Sequence, residues 1–228
     1  MNRTDLRGAL VAAGVPDDLY SLQGVHELPS SLETCYLLGG SDHDVRVGVV
    51  ERGGARFGFS GTEDEACEFL LHELVFDEPE PVEFDDADDA AAARRSAELN
   101  RLVNAALDEG ARLAPVVSVR FHLRPGDVVD RFGPESGTFL YPDGTPLERR
   151  ALPPTAFEAG YFRYTVTGDI PVQAGVAGPA FEQPGGTAMF KLDPSALAAP
   201  PPLMTVRWLV HEGLLRPIVE RSSSRAPA

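Results

Sequence analysis

The sequence predicts an α+β protein in two units: a small N-terminal α-β-β-β-α domain, then a domain built on a twisted, mainly antiparallel β-sheet with flanking helices. Three observations point there. The 228 residues are 43% hydrophobic and 24% charged, an ordinary globular composition with length for two small domains. Apolar stretches of strand length recur in both halves, with no internal repeat and no long helices. A segment rich in acids and proline separates the halves.

Residues 4 to 13 repeat apolar side chains at Leu6, Ala9, Leu10 and Ala13 before Gly14, Val15 and Pro16, which reads as a short amphipathic helix with a stop. Thr34 to Leu38, Val45 to Val50 and Ala55 to Ser60 read as strands, the last two joined through Gly53 and Gly54 in a tight hairpin. Thr62 and Glu65 form a capping-box pattern ahead of the apolar face Ala66, Cys67, Phe69, Leu70, Leu71 and Leu74. This first domain spans 1 to 75. Residues 77 to 89 hold eight carboxylates, two prolines and no base, so 76 to 89 is expected to be an acidic linker that buries too little to offset its ordering entropy.

The second domain, with its leading helix, is expected over 90 to 220. Leu99, Leu102, Val103, Ala106 and Leu107 mark that helix, and Gly110 can end it. Val117, Val119, Phe121 and Leu123 alternate with polar residues as in a half-buried strand, with a Pro125-Gly126 turn before Val128 and Val129. Phe139 to Tyr141, Tyr161 to Thr167 and Ala188 to Leu192 are further strands. Thr205 to His211 fits a last helix, Leu214 to Val219 a closing extended piece, and 221 to 228 a disordered tail.

The net charge is -15, and residues 1 to 110 alone carry -16, with 24 acids against 8 arginines. Such a chain repels phosphate backbones at long range, which argues against a nucleic-acid partner; an anionic ligand has to be held by arginines clustered in the neutral half. No apolar run has the length of a membrane span and the N-terminus lacks a signal-peptide pattern, so the expectation is a cytoplasmic protein without a membrane partner, unless a dedicated system exports it. Cys35 and Cys67 lack metal-site or disulfide spacing and are expected to be buried thiols; no metal is expected. His122 should face away from the core, and nothing pairs the histidines at ligand spacing.

No GxGxxG, Walker loop, HExxH or GxSxG occurs. What stands out is Asp130-Arg131-Phe132-Gly133 with Gly137-Thr138-Phe139-Leu140, then Arg149-Arg150-Ala151-Leu152-Pro153-Pro154, then the loop from Gly178 to Thr187. Glycines let backbone N–H groups approach a ligand, and an arginine fork reads a pyrophosphate. The bare residues admit two readings: two arginine loops and a glycine loop cradle a dinucleotide, or Arg131 pairs with Asp130 or Glu135 and the glycines are plain turns.

The order DRFG, GTFLYPDGTP, ERRALPP, Tyr161-x-x-Tyr164 and GPAFEQPGGT followed by a strand resembles the tuberculosis necrotizing toxin (TNT) family of NAD glycohydrolases, over roughly residues 111 to 217. The resemblance implies a hydrolase that cleaves the nicotinamide–ribose bond of NAD or NADP with no cofactor. It further implies a toxin of bacterial, actinobacterial-like type, with a possible cognate inhibitor protein as partner. Carried over residue by residue, it assigns the catalytic arginine to Arg131 and substrate binding to Phe139, Arg150, Tyr161, Gln183, Gly185, Gly186 and Thr187. One position departs: the family's essential Gln falls on Ala188. The ribosyl cation formed in such a cleavage needs a polar group beside it, and losing one costs on the order of 10²-fold or more in rate. The expectation is therefore a weak or inactive glycohydrolase. Two alternatives stand beside it: a catalytically dead nucleotide-binding or protein-interaction module, and a first domain that docks on the catalytic cleft and masks it.

Overall fold

The computed structural model describes all residues except 29–33, 42, 52–53, 113–116, 154–155, 157–159 and 221–228. The expected disordered tail, Gly53 of the hairpin turn and Pro154 of the ERRALPP segment lie outside the described residues.

The first unit comprises α1 (Arg3–Ala12), β1 (Tyr20–Leu22), β2 (Thr34–Ser41), β3 (Asp44–Glu51), β4 (Gly54–Gly61) and α2 (Glu63–Leu74). Its four strands form one sheet in sequence order, antiparallel except where β1 runs parallel to β2. Asn2 caps α1, and Thr62 and Glu65 make the expected capping box on α2, each side chain meeting the other's backbone N–H. Leu6 and Leu10 of α1 and Ala66, Leu70 and Leu74 of α2 close over Tyr36, Leu38, Val45 and Val47 as one apolar core. Cys67 belongs to this core and Cys35 is buried elsewhere on β2; both are free thiols, and burial pushes both up to about 11. Strand β1 was not visible in the sequence, because three residues among turns carry no period.

The second unit comprises β5 (Val82–Phe84), α3 (Asp86–Ala111), β6 (Ser118–Leu123), β7 (Val128–Phe132), β8 (Phe139–Pro142), α4 (Leu147–Arg150), β9 (Tyr161–Val166), β10 (Ile170–Val176), β11 (Ala188–Leu192), α5 (Val206–His211) and β12 (Leu215–Glu220). Eight strands make one sheet in the order β5-β12-β9-β7-β8-β11-β10-β6, antiparallel throughout except for β5 beside β12. The stretch expected to be a linker thus contributes an edge strand, with Ile218 opposite Val82 and Glu220 opposite Phe84, and α3 starts at once behind its cap Asp85. Backbone pairing supplies the stabilisation that the segment's own composition lacks. Among the described residues no helix is long and apolar enough to cross a membrane.

Alternation decides which side chains reach a site. Opposite pairs across β7 and β9 are Val129 with Tyr164, Asp130 with Arg163, and Phe132 with Tyr161. Val129 and Tyr164 join the main core beneath Leu99 and Val103 of α3 and Leu209 of α5. Asp130, Phe132, Tyr161 and Arg163 therefore occupy the other face of these strands. The two units meet through specific contacts: Tyr36 and Thr205 share a hydroxyl hydrogen bond of 2.6 Å, the Thr138 amide donates to Glu51 at 2.9 Å, and Arg207 donates to the Leu74 carbonyl at 3.0 Å.

Candidate active site

Asp130 organises the polar face. Its carboxylate, fully buried, is gripped by both terminal nitrogens of Arg150, one at 2.7 Å, and also accepts from the Tyr161 hydroxyl at 2.7 Å and the Gly144 amide at 2.9 Å. Arg150 gives Nε to the Thr145 carbonyl at 2.8 Å and lies over the rings of Phe132 and Tyr141, 4.9 and 5.0 Å from their centroids. A charge-assisted fork in which each of the three guanidinium nitrogens has a partner is the arrangement in which a buried ion pair holds firm. One residue thus fixes the turn after β8, the start of β9 and the one-turn helix α4.

Beside this hub lies a cavity of about 670 Å³. Its walls are α3, through the helical stripe Asp89, Ala93, Ser96 and Asn100; the turn Asp143 to Pro146 with Arg149; Tyr161 and Arg163 of β9; and Gly186 and Thr187 of the glycine loop. That loop is tied down at both ends. Gly185 donates to the Glu148 carbonyl at 3.1 Å and Gly186 to the Ala177 carbonyl at 2.8 Å. From α3, the side-chain oxygen of Asn100 accepts from the Ala188 amide at 2.8 Å and the Thr187 hydroxyl at 3.2 Å. Gly185 has φ +67, and a Cβ there would sit 2.4 Å from the Ala177 carbonyl oxygen, so only glycine fits. At the loop's tip Phe181 and Glu182 both adopt positive φ between the bridged residues Ala180 and Gln183, the conformation of a type I′ turn.

The residues expected at the site are distributed as follows. Tyr161, Gly186 and Thr187 line the cavity, and Gly185 shapes its loop. Arg150 stands behind the wall, committed to Asp130. Arg131 is 4% exposed and donates to the carbonyls of Gly133 and Phe139 at 3.0 and 3.2 Å; it does not line the cavity, nor do Phe139, Gln183 and Ala188. The methyl of Ala188 belongs to the main apolar core, while alternation sends Thr187 and Met189 to the opposite face. Asp130 pairs with Arg150 rather than with its neighbour Arg131, because consecutive strand residues point to opposite faces. Sequence reasoning missed Arg149, Asp143, Arg163 and the α3 stripe. Arg149 had a signal, being adjacent to an expected arginine in the same motif; the α3 residues had none, since that helix precedes every recognised motif. Among the described residues no three His, Cys, Asp or Glu side chains are grouped to share a metal ion.

The family described as Tuberculosis necrotizing toxin matches residues 122–218, from β6 into β12. Residues 122–218 are thus similar to a TNT domain. A curated relative, the conidial surface nicotinamide adenine dinucleotide glycohydrolase of Aspergillus fumigatus, is 42% identical over 72 residues, which cover 28% of this chain and 31% of that protein. The chain therefore spans about a third of that relative's length. The relative is fungal, so the bacterial, actinobacterial-like source implied by the resemblance has no counterpart in it. Two solved structures align less closely. Tuberculosis necrotizing toxin complexed with its immunity factor has a TM-score of 0.35 and 24% identity over 44% of this chain and 57% of that one. Rhs1-CT in complex with its cognate immunity protein has a TM-score of 0.31 and 18% identity over 45% and 77%.

The helix α3 lies outside the family-matched stretch yet builds one wall of the cavity. Chemically the cavity offers one exposed guanidinium, a tyrosine ring at the rim and a row of hydroxyl and side-chain amide groups, beside the carboxylates of Asp89, Asp143 and Glu220. That set suits a polar, ring-bearing ligand whose negative charge is met at Arg149 better than an apolar one.

Proposed function

We propose that the TNT-like domain takes NAD(P)+ into the cavity between α3 and the β8–α4 turn and hydrolyses the nicotinamide–ribose bond, slowly or with little turnover. The observation that carries this is the meeting, inside the family-matched stretch, of Arg149 with Gly186 and Thr187 at one 670 Å³ cavity. Arg149 would hold the pyrophosphate, with Gly185 and Gly186 leaving room for it. Tyr161, its hydroxyl fixed by Asp130, would brace a ribose or nicotinamide ring. Nicotinamide leaves as a neutral group from a cationic ring, so the reaction asks for orientation, a positioned water and a polar group near the ribosyl cation rather than a general acid or a metal. Arg131, assigned the catalytic role by family resemblance, would act from behind the sheet by fixing the Gly133 and Phe139 backbone.

Low turnover is what the family resemblance implies, because Ala188 stands where the family carries an essential glutamine. The Ala188 methyl lies in the main core, on the strand face turned away from this cavity, so a glutamine there would act on the cavity only through a repacked strand. The same fact favours the second reading, a nucleotide-binding module without catalysis. The deciding experiment incubates the chain and Ala188→Gln with NAD+ and with NADP+ and follows nicotinamide by chromatography. Slow release from the wild-type chain supports the enzyme. If neither folded protein releases nicotinamide from either dinucleotide while both bind ADP-ribose, the binding module is the function. An inhibitor protein as partner and delivery outside the cell remain parts of the same proposal, to be tested by co-purification from the source organism.

A further inference from the structure

Which dinucleotide the cavity accepts is written in how its arginines are paired, an inference that rests on the NAD(P)+ reading above. Two guanidinium groups line the cavity, in opposite circumstances. Arg163 gives Nε and a terminal nitrogen to the two oxygens of Asp143, both at 2.8 Å, and the same terminal nitrogen to Asp89 of α3, also at 2.8 Å. Two carboxylates against one cation leave this corner net negative. The Arg149 side chain, lining the same cavity, has no hydrogen-bond or ionic partner among the described residues.

A neighbouring cavity of about 610 Å³ shares Tyr161, Arg163 and Glu220 with the first, so a dinucleotide longer than either could reach across that rim. Its further arginine, Arg207, is taken up by Glu78 at 2.7 Å and Glu135 at 3.0 Å. Glu220, at the shared rim, has no cationic partner among the described residues. Along both cavities the lining therefore offers a single unpaired guanidinium.

A pyrophosphate consumes that guanidinium. NADP+ carries one more phosphate, on the adenosine 2′-oxygen. Whichever cavity holds the adenosine, that phosphate meets Asp89, Asp143 and Glu220, or Glu78, Glu135 and Glu220, with every nearby arginine already neutralised. Uncompensated like charge at short range discriminates by repulsion. We propose that the site selects NAD+ over NADP+, and that Asp89, contributed by α3 from outside the family-matched stretch, is a specificity-determining residue because, with Arg163 already paired to Asp143, it leaves that corner net negative.

Calorimetric titration of the full chain with ADP-ribose and with 2′-phospho-ADP-ribose tests this apart from turnover. The wild-type chain should prefer ADP-ribose by about tenfold or more at low salt, with the preference shrinking as ionic strength rises. Asp89→Asn, at a half-exposed position in the first turns of α3, should reduce that ratio by about threefold or more; Glu220→Gln, at the rim, should move it the same way. A role confined to folding would lower both affinities together and leave the ratio alone. Equal wild-type affinities, a preference for the 2′-phosphorylated ligand, or a ratio unmoved in both variants would overturn the proposal. Selective binding without nicotinamide release would sink the enzyme reading and leave this one standing, whereas turnover of both dinucleotides at equal efficiency would do the reverse. Failure of both ligands to bind would remove both.

Discussion

Arg149 and Arg150 are adjacent in sequence and sit on opposite sides of the cavity's logic. Arg150 is buried behind the strand wall, with a carboxylate, a carbonyl and two aromatic faces around it. Arg149 belongs to the loop wall, exposed and without an ionic partner among the described residues. The strand wall spends its charges inward and gains a fixed shape; the loop wall leaves one charge outward and gains reach. A site that has to hold a mobile dinucleotide needs both, because binding energy is useful only when the groups that receive it do not move.

Breaking the strand wall should have the largest effect. Arg150→Ala strands Asp130 in the interior with its strongest partner gone, and loss of one member of a buried pair costs about 3–5 kcal/mol. Urea denaturation followed by circular dichroism should register that loss. A loss under about 1 kcal/mol would mean that Tyr161 and the Gly144 amide hold Asp130 unaided, and the contrast between the walls would dissolve.

What an unanswered buried carboxylate does can be read at the junction of the two units. Glu73 of α2 is buried with one oxygen lacking a partner, and burial, helped by Glu212, pushes its acid up to about 7 from an ordinary 4.5. The folded state keeps a proton that the unfolded chain has already released. The penalty is thus absent below pH 4.5, grows as pH rises through the interval up to 7, and is constant above it. Replacing the acid by its amide, Glu73→Gln, should stabilise the protein at pH 8 by roughly 2–3 kcal/mol and leave it nearly unchanged at pH 4.5. Thermal melts of both proteins from pH 4.5 to 8 give the difference directly; parallel curves would show that Glu73 ionises freely. Against this, the answered charge of Asp130 marks the hub as a structural commitment.

Much of the scaffold was legible because its signals are local. The Thr62–Glu65 capping box, the alternation from Val119 to Leu123 and the run Ala188 to Leu192 each lie within a few residues, and each element formed where expected. Strands β5 and β10 were not legible. Val82 to Phe84 lies among acids and is held by its neighbour β12, and Ile170 to Val176 is broken by Pro171 and Gly175 while lying between β11 and β6. The same distinction governs the site. The glycine loop and the arginine pair announced themselves by composition. The Asp130–Arg150 pairing spans twenty residues, and Asn100 reaches the loop from 87 residues away, so no local pattern could carry either. Strand alternation alone could have separated Asp130 from Arg131.

The loop wall can be probed without touching charge. Gly185→Ala asks for a side chain at φ +67 and 2.4 Å from a carbonyl oxygen, so the loop has to shift. A cost of about 1–3 kcal/mol is expected, with ADP-ribose affinity falling more steeply than stability because the displaced loop carries Gly186 and Thr187 into the cavity. Unchanged affinity in a folded variant would detach the loop from ligand binding.

The sharpest contrast comes from the smallest perturbation to the fold. Arg149→Ala removes an exposed side chain with no partner, so stability should change by less than about 0.5 kcal/mol, a tenth of the upper value expected at the next residue. Ligand affinity should nevertheless drop about tenfold or more, since a pyrophosphate then loses its one unpaired guanidinium. Arg149→Lys should recover only part of that loss, because a point charge cannot give two parallel hydrogen bonds. The two neighbours thus predict opposite signatures, stability at 150 and affinity at 149. If Arg149→Ala binds ADP-ribose as the wild-type chain does, the anion enters elsewhere and the cavity beside α3 is not its site.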